Sequence, residues 1–251
     1  MDDQEIERTF FILHSSFFIL MTAVIIAGGQ SRRMKCDKAF LELGEKMLIQ
    51  RVLDVLIPLF PSIIINSNTP DAFRDWDYPV ISDVSPGKGA LGGIYTALLH
   101  GQTEYVFCVA CDMPLLQPDF IRFMRDSLEG EDALVPRTPD GCHPLHAIYS
   151  RHCAPAIEDL FRDDQLKISH LFSLVHTRYV DEQTIRQFDP DLESFLNINT
   201  SEEFLLARKI VEDENRAAYN RPSVEQSTRG HDKTGFRPRF NTPRANGEHD
   251  A

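Results

Sequence analysis

A chain of 251 residues with a hydrophobic fraction of 42% is long enough to bury one α/β core of ordinary size, and a second full domain would leave both halves thin. Its formal charge of -12 argues against a nucleic-acid partner held by a basic surface, and any polyanionic substrate would need local Arg, Lys, backbone N–H groups or a metal to offset the repulsive field. The cysteines, Cys36, Cys108, Cys111, Cys142 and Cys153, form an odd set with no paired framework, as expected for a reduced compartment such as the cytoplasm.

The stretch from Phe10 to Leu20 is apolar but broken by His14, Ser15 and Ser16, and it is too short to span a bilayer. Its leader carries Asp2, Asp3, Glu5 and Glu7 against Arg8, unlike a signal peptide, so neither secretion nor a membrane partner is expected. Residues 1–20 are read as an upstream extension of the reading frame, with Met21 as the start, or as a disordered arm. Regular patterning begins at Thr22. Ala23-Val24-Ile25-Ile26-Ala27 reads as a buried parallel strand that stops at Gly28-Gly29. Leu48, Ile49, Val52, Leu53 and Leu56 recur at helical spacing, and Ser62 to Ile65 is a β-branched strand closing on Asn66. A short strand is predicted to end near Asp83, and Leu91, Ile94 and Leu98 then mark a helix. Tyr105 to Ala110 is the next buried strand, and Phe120, Met124 and Leu128 form one helical stripe.

Cys108 and Cys111 have a C-x-x-C spacing, which zinc or redox chemistry could use. On a strand, however, positions three apart face opposite sides, which favours buried small hydrophobes. Candidate strands follow at Asp132 to Arg137, His146 to Tyr149, Arg178 to Val180 and Phe195 to Ile198, supplying a second binding wall. Thr200 and Glu203 make a capping box before a last helix through Phe204, Leu205, Ile210 and Val211. Beyond Glu214 the periodic hydrophobics give out, so residues 21–213 are read as one domain and residues 214–251 as a disordered tail. Alternating strands and helices imply an α/β fold: a mostly parallel sheet with helices on both faces and the ligand at the carboxyl ends of the strands.

The strongest chemical signal is Gly28-Gly29-Gln30-Ser31-Arg32-Arg33-Met34-Lys35-Cys36-Asp37-Lys38, directly after the first strand. It lacks the lysine spacing of a P-loop and the G-x-G-x-x-G of dinucleotide sites. Its glycines allow close backbone approach, and its cations suit a triphosphate. The segment resembles the nucleotidyltransferase signature L-A-G-G-x-S-x-R-M-G-x-D-K, and in particular that of the molybdenum cofactor guanylyltransferases. The resemblance runs in order over residues 22–209, through Asn66, Asp83, Gly92-Gly93, Cys111-Asp112-Met113-Pro114, His143-Pro144 and Asn197-Ile198-Asn199-Thr200. The chain departs from the family at Lys35, where a glycine is usual, and at Gly89-Ala90-Leu91-Gly92-Gly93, where G-P-L-x-G is usual. Lys35 would either strain the loop or aid phosphate binding.

The resemblance implies a three-layer, Rossmann-like nucleotidyltransferase fold and transfer of GMP from GTP to the phosphate of molybdenum-bound molybdopterin, with release of diphosphate. Ile26, Ala27, Gly28 and Gly29 would hug the nucleotide, Asn66 and Asp83 would hold its base and ribose region, and Lys38 with Arg33 would meet phosphate. Asp112 would hold Mg²⁺, whose preference is for hard oxygen donors. Asn197 and Asn199 would face molybdopterin, with Asn199 also in the helix cap. His143 receives no catalytic role. An ionised phosphate monoester, with a second pKa of about 6, needs no dedicated base. Transient contacts with proteins that insert the metal or receive the cofactor would follow. Three alternatives stand beside this expectation: a cytidylyl relative, a sugar-phosphate nucleotidyltransferase, and a non-catalytic cofactor carrier. Gly28-Gly29 argues against the cytidylyl relatives, which tend to carry Ala-Gly there, and Lys38 with Asp112 argues against the carrier.

Overall fold

The computed structural model describes residues 20–28 and 38–219, with side chains of the last helix described to Arg216. The expectations for residues 1–19, for Gly29, Arg33 and Lys35, and for residues 220–251 lie outside the described residues. In chain order the elements are β1 (Met21–Ile26), β2 (Glu42–Leu43), β3 (Lys46–Met47), α1 (Leu48–Leu56), β4 (Ser62–Asn66), β5 (Val80–Ile81), α2 (Gly89–His100) and β6 (Tyr105–Ala110). There follow α3 (Pro118–Asp126), β7 (Ala133–Thr138), β8 (Gly141–Cys142), β9 (His146–Ser150), α4 (Cys153–Arg162), α5 (Ile168–Leu171), β10 (Thr177–Val180), α6 (Glu182–Ile185) and α7 (Ser201–Tyr219).

The main sheet has the order β10-β7-β9-β6-β1-β4-β5, with β8 paired to β7. β1 is an interior strand: Met21–Ile26 is buried at every position and pairs in parallel with β4 on one side and β6 on the other. Along this path β9 alone runs against its neighbours, β6 and β7, so β7, β6, β1, β4 and β5 all end at one edge and β9 begins there. The sheet is thus mostly parallel, as the alternation of elements predicts, with one reversed strand that the alternation does not reveal.

Each face of the sheet buries its own cluster. Ala23, Ile25, Ile63, Ile65, Phe107 and Val109 meet Ile49, Val52, Leu53 and Leu56 of α1 and Phe120, Ile121 and Met124 of α3. Val24, Ile26, Ile64, Val106 and Cys108 meet Leu91, Ile94 and Leu98 of α2 and Ile157 and Leu160 of α4. This is the two-faced alternation of a strand with period two. It places Cys108 and Cys111 in different clusters, so the two thiols of the C-x-x-C spacing face opposite sides of the sheet, and burial pushes the Cys108 thiol well up and the Cys153 thiol up to about 12. α1 buries the five apolar residues that the spacing picks out. α3 stops at Asp126, so Leu128 packs against the core from beyond the helix rather than on its stripe. No helix among the described residues is long and apolar enough to cross a membrane.

Two sequence expectations are corrected. Residues 195–198 do not form a strand. Glu193–Phe195 is a 3-10 turn, and the buried Asp189 carboxylate accepts the backbone N–H groups of Glu193 at 3.0 Å and Ser194 at 2.9 Å, which turns the chain away from extended geometry. The last helix continues past Glu214 to Tyr219, so residues 214–219 are helical rather than part of a tail. Its start is as expected: Glu203 accepts the N–H of Thr200 at 2.7 Å and the Thr200 hydroxyl accepts that of Glu203 at 3.2 Å, the reciprocal pair of a capping box. Ala207 and Val211 of α7 bury against Leu43, Leu48, Leu115 and Ile198, which docks the N-terminal end of this helix beside the strand ends.

Candidate active site

The site candidates gather where the parallel strands end. Ile26, the last residue of β1, is in register with Asn66 of β4 and Ala110 of β6, and the Ala27 N–H donates to the Asn66 carbonyl at 2.8 Å. Asn66 is 1% exposed, and its Nδ2 is buried without a hydrogen-bond partner among the described residues. Such a donor is costly to leave unmet, and it marks a position where a ligand acceptor would fit. Gly93 of α2 makes room for it. A Cβ at Gly93 would lie 3.2 Å from Ile26 Cγ2 and 3.5 Å from Asn66 Oδ1, so the helix approaches the strand ends more closely than a side chain there would comfortably allow. Gly93→Ala is therefore expected to push Ile26 and Asn66 aside at a cost of about 1–3 kcal/mol, typical of overpacking. Differential scanning calorimetry of Gly93→Ala beside the wild type should show the loss as a lowered melting temperature.

Asp83 follows β5 at the same edge, hydrogen-bonded through Oδ2 to Asn68 Nδ2 at 2.8 Å, and its Oδ1 is buried without a partner among the described residues. Gly28 leaves β1 beside this pair, where a Cβ would come 3.9 Å from Asn68 Nδ2. Asn68 is a residue that the sequence motifs did not pick out. Its one signal was a second amide two positions after Asn66 at a strand end.

A second group forms on the β6 side. Lys38 opens a 3-10 turn with Ala39 buried beneath it, and its Nζ donates to Asn199 Oδ1 at 2.7 Å and lies 3.9 Å from Asp112 Oδ2. Asp112 leaves the end of β6, and its carbonyl accepts the N–H of Ile198 at 2.9 Å, which ties the Asn197-Ile198-Asn199 segment to the loop carrying the carboxylate. Residues far apart in the chain, Lys38, Asp112 and Asn199, thus meet at one point. Their accessibility decides what they can do: the side chains of Lys38 and Asp112 are 18% and 20% exposed, open to a ligand yet partly stripped of water. Burial pushes the Asp112 carboxyl above the usual carboxylate range, with the Lys38 ammonium pulling it back. A divalent cation beside Asp112 would relieve that penalty, and one hard carboxylate with ligand phosphates and water completing the sphere suits Mg²⁺. Among the described residues no cluster of three or more His, Cys, Asp or Glu side chains forms a protein-only metal cage.

Asn197 is half-buried, whereas Asn199 is exposed, with its N–H donated to Glu203 at 2.7 Å. Residues 196–199 are irregular rather than extended, so strand geometry does not aim the two amides to one side. His143 is held by structure: its Nε2 lies 2.8 Å from Thr138 Oγ1 and its ring packs on Phe195 with centroids 4.1 Å apart. Burial pushes its pKa down against the pull of Asp140. Gly29 and Arg33 lie outside the described residues.

The chain and its fold have known counterparts. The family description "MobA-like NTP transferase domain" matches residues 23–178. The chain is similar to a molybdenum cofactor guanylyltransferase of Syntrophotalea carbinolica, 42% identical over 73% of this chain and 88% of that protein. It is also similar to a probable molybdenum cofactor guanylyltransferase of Peptoclostridium acidaminophilum, 36% identical over 77% of this chain and 90% of that protein. Among solved structures, molybdopterin-guanine dinucleotide biosynthesis protein A from Archaeoglobus fulgidus superposes with a TM-score of 0.68 at 28% identity, over 77% of this chain and 99% of that one. The family model spans residues 23–178 and these relatives are matched along most of their own length, so the chain is a nucleotidyltransferase and belongs to the MobA-like NTP transferase family.

Proposed function

We propose that this enzyme transfers GMP from GTP to the terminal phosphate of molybdenum-bound molybdopterin. The observation that carries this assignment is the meeting of Lys38, Asp112 and Asn199 at the strand ends, in a chain whose relatives are named for that reaction. A phosphate oxygen of the acceptor attacks the α-phosphorus of GTP in line. The new P–O bond forms as the bond from the α-phosphorus to the bridging oxygen of the β-phosphate breaks, and diphosphate leaves with that electron pair. The acceptor phosphate is already largely ionised near neutrality, so no general base is required.

The main barrier is repulsion between two anionic partners. Lys38 and Arg33 bind phosphate, and the backbone of Ile26, Ala27, Gly28 and Gly29 lies along the nucleotide. Asn66 and Asp83 hold its base and ribose region, and Asn197 and Asn199 orient the acceptor. Asp112 would hold Mg²⁺, which when bound neutralises triphosphate charge and stabilises the charge that develops on the leaving group. The thiols Cys108, Cys142 and Cys153, free among the described residues, suit the reducing cytoplasm, where metal-inserting and cofactor-receiving proteins would be met.

The test compares GTP with CTP in diphosphate release when molybdopterin and Mg²⁺ are supplied, followed by acid release of the nucleotide from the isolated product. GTP-dependent release and recovered GMP are expected. A preference for CTP would move the chain to the cytidylyl relatives, and cofactor binding without turnover would make it a carrier.

A further inference from the structure

The carboxylate of Asp83 is held from one side only. Asn68 Nδ2 donates to Asp83 Oδ2 at 2.8 Å, and the backbone N–H of Asp83 donates back to Asn68 Oδ1 at 3.0 Å. Both ends of the amide are engaged, so its orientation is determined: the oxygen must face the N–H and the NH₂ must face the carboxylate. The segment bearing Asn68 is itself anchored, because Ser67 N–H donates to the Ile81 carbonyl at 2.8 Å and the Ser82 hydroxyl donates to the Ser67 carbonyl at 3.2 Å. With Oδ2 occupied, the rotation of the Asp83 carboxylate is set, and Oδ1 is left buried with no donor among the described residues. A carboxylate free to turn would take donors on both oxygens, whereas this one keeps one buried acceptor, without a donor among the described residues, at the edge where the strands end.

We infer that Asn68 is a positioning residue that fixes Asp83 so that Oδ1 offers one aimed acceptor to a hydrogen-bond donor of guanosine, a base N–H or a ribose hydroxyl. The inference rests on the guanylyl assignment above. Asn68 acts through Asp83 and does not itself touch the reacting atoms.

The atoms make the prediction specific. In Asp83→Asn, the new amide turns its oxygen toward Asn68 Nδ2 and so presents NH₂, a donor, where the nucleotide needs an acceptor. In Asn68→Asp, two carboxylates face each other and the clamp opens. In the double variant, Asn68→Asp with Asp83→Asn, the carboxylate now at position 68 accepts from both the backbone N–H and the side-chain NH₂ of position 83. The amide oxygen at position 83 then faces the site again. Each single change is expected to weaken GTP binding by about tenfold, the scale of one lost charge-assisted hydrogen bond. The double change should recover most of that loss, and in Asn68→Asp the loss is expected in KM rather than in kcat.

The experiment is isothermal titration of GTP, ITP, 2′-deoxyGTP and 3′-deoxyGTP into the full-length wild-type, single-variant and double-variant proteins. KM and kcat are measured alongside, and thermal unfolding confirms that each variant folds. The wild-type preference for GTP over the analogue that lacks the donor should vanish in the single variants and return in the double. A loss equal for all four nucleotides, rescued in the double variant, assigns the donor to guanine N1–H. A double variant no better than the weaker single would overturn the clamp, as would an Asn68→Ala variant with unchanged GTP affinity and unchanged discrimination. Those results leave the guanylyl assignment standing. Wild-type protein that fails to bind GTP removes both.

Discussion

Asp112→Ala is expected to lower the proposed GMP transfer by on the order of 10³-fold, the scale seen when a charge-stabilising group is taken from a transition state. The fold should survive, because the tie from Asp112 to the Asn197-Ile198-Asn199 segment is made by its main-chain carbonyl, which the substitution keeps. What is lost is a partly desolvated carboxylate 3.9 Å from Lys38 Nζ. Asp112→Asn should be similarly inactive, since it keeps the shape and loses the charge. The stability effect runs the other way. Burial raises the folded-state pKa of Asp112, so the folded protein holds the ionised form less favourably than the unfolded chain does, and this cost grows as pH rises through the ordinary carboxylate range. Asp112→Asn removes it, so the melting temperature at pH 7 should be equal to or above that of the wild type, a trade between stability and activity. Diphosphate release and calorimetry on the same preparations check both halves. Turnover close to wild type in Asp112→Ala would exclude this residue as the metal ligand.

The second large effect lies in the core. His146 is fully buried, with neither ring nitrogen hydrogen-bonded among the described residues, and is packed against Phe107, Phe120 and Phe195 at centroid distances of 5.4, 5.6 and 5.1 Å. Burial, reinforced by the neighbouring His143, pushes its pKa from 6.5 down to about 3, against a smaller opposing pull from the Ser194 backbone. A histidine whose pKa falls on folding contributes no penalty above the unfolded value. Below pH 6.5 the unfolded chain takes up a proton that the folded protein refuses, so stability drains as pH falls toward 3. The slope approaches about 1.4 kcal/mol per pH unit, amounting to roughly 4–5 kcal/mol across the window. His146→Leu keeps an apolar side chain in the same box and has nothing to protonate. Urea titrations at pH 7, 5.5 and 4.5 should show the wild type losing ground to this variant at every acid step. Parallel stability curves would mean that the ring is solvated or charged within the fold.

Local features could be read without coordinates because they depend on side chains that are neighbours along the chain. The stripe Leu48, Ile49, Val52, Leu53 and Leu56 recurs at the helical period, and all five are buried in α1. The unbroken apolar run before Gly28 is the central strand, and Thr200 with Glu203 closes its own helix end within one turn. The order of Gly28, Lys38, Asn66, Asp83, Asp112 and Asn199 along the chain, seen against a family pattern, also pointed to nucleotide chemistry before any of them had a position.

Other features depended on which segments met. β9 runs against its neighbours in the sheet because its pairing with β6 and β7 is a long-range choice that no local period encodes. Residues 195–198 have strand-like residue types, yet the Asp189 carboxylate and the tie from Ile198 to Asp112 hold them in an irregular path. The contact of Lys38 with Asn199 joins residues 161 positions apart, and the clamp of Asn68 on Asp83 spans two strand ends. Hydrophobic period and capping chemistry are set by a few adjacent residues and so by sequence alone. The aim of a carboxylate, or the burial of one histidine among three phenylalanines, is set by packing between distant segments, and only the assembled sheet decides it.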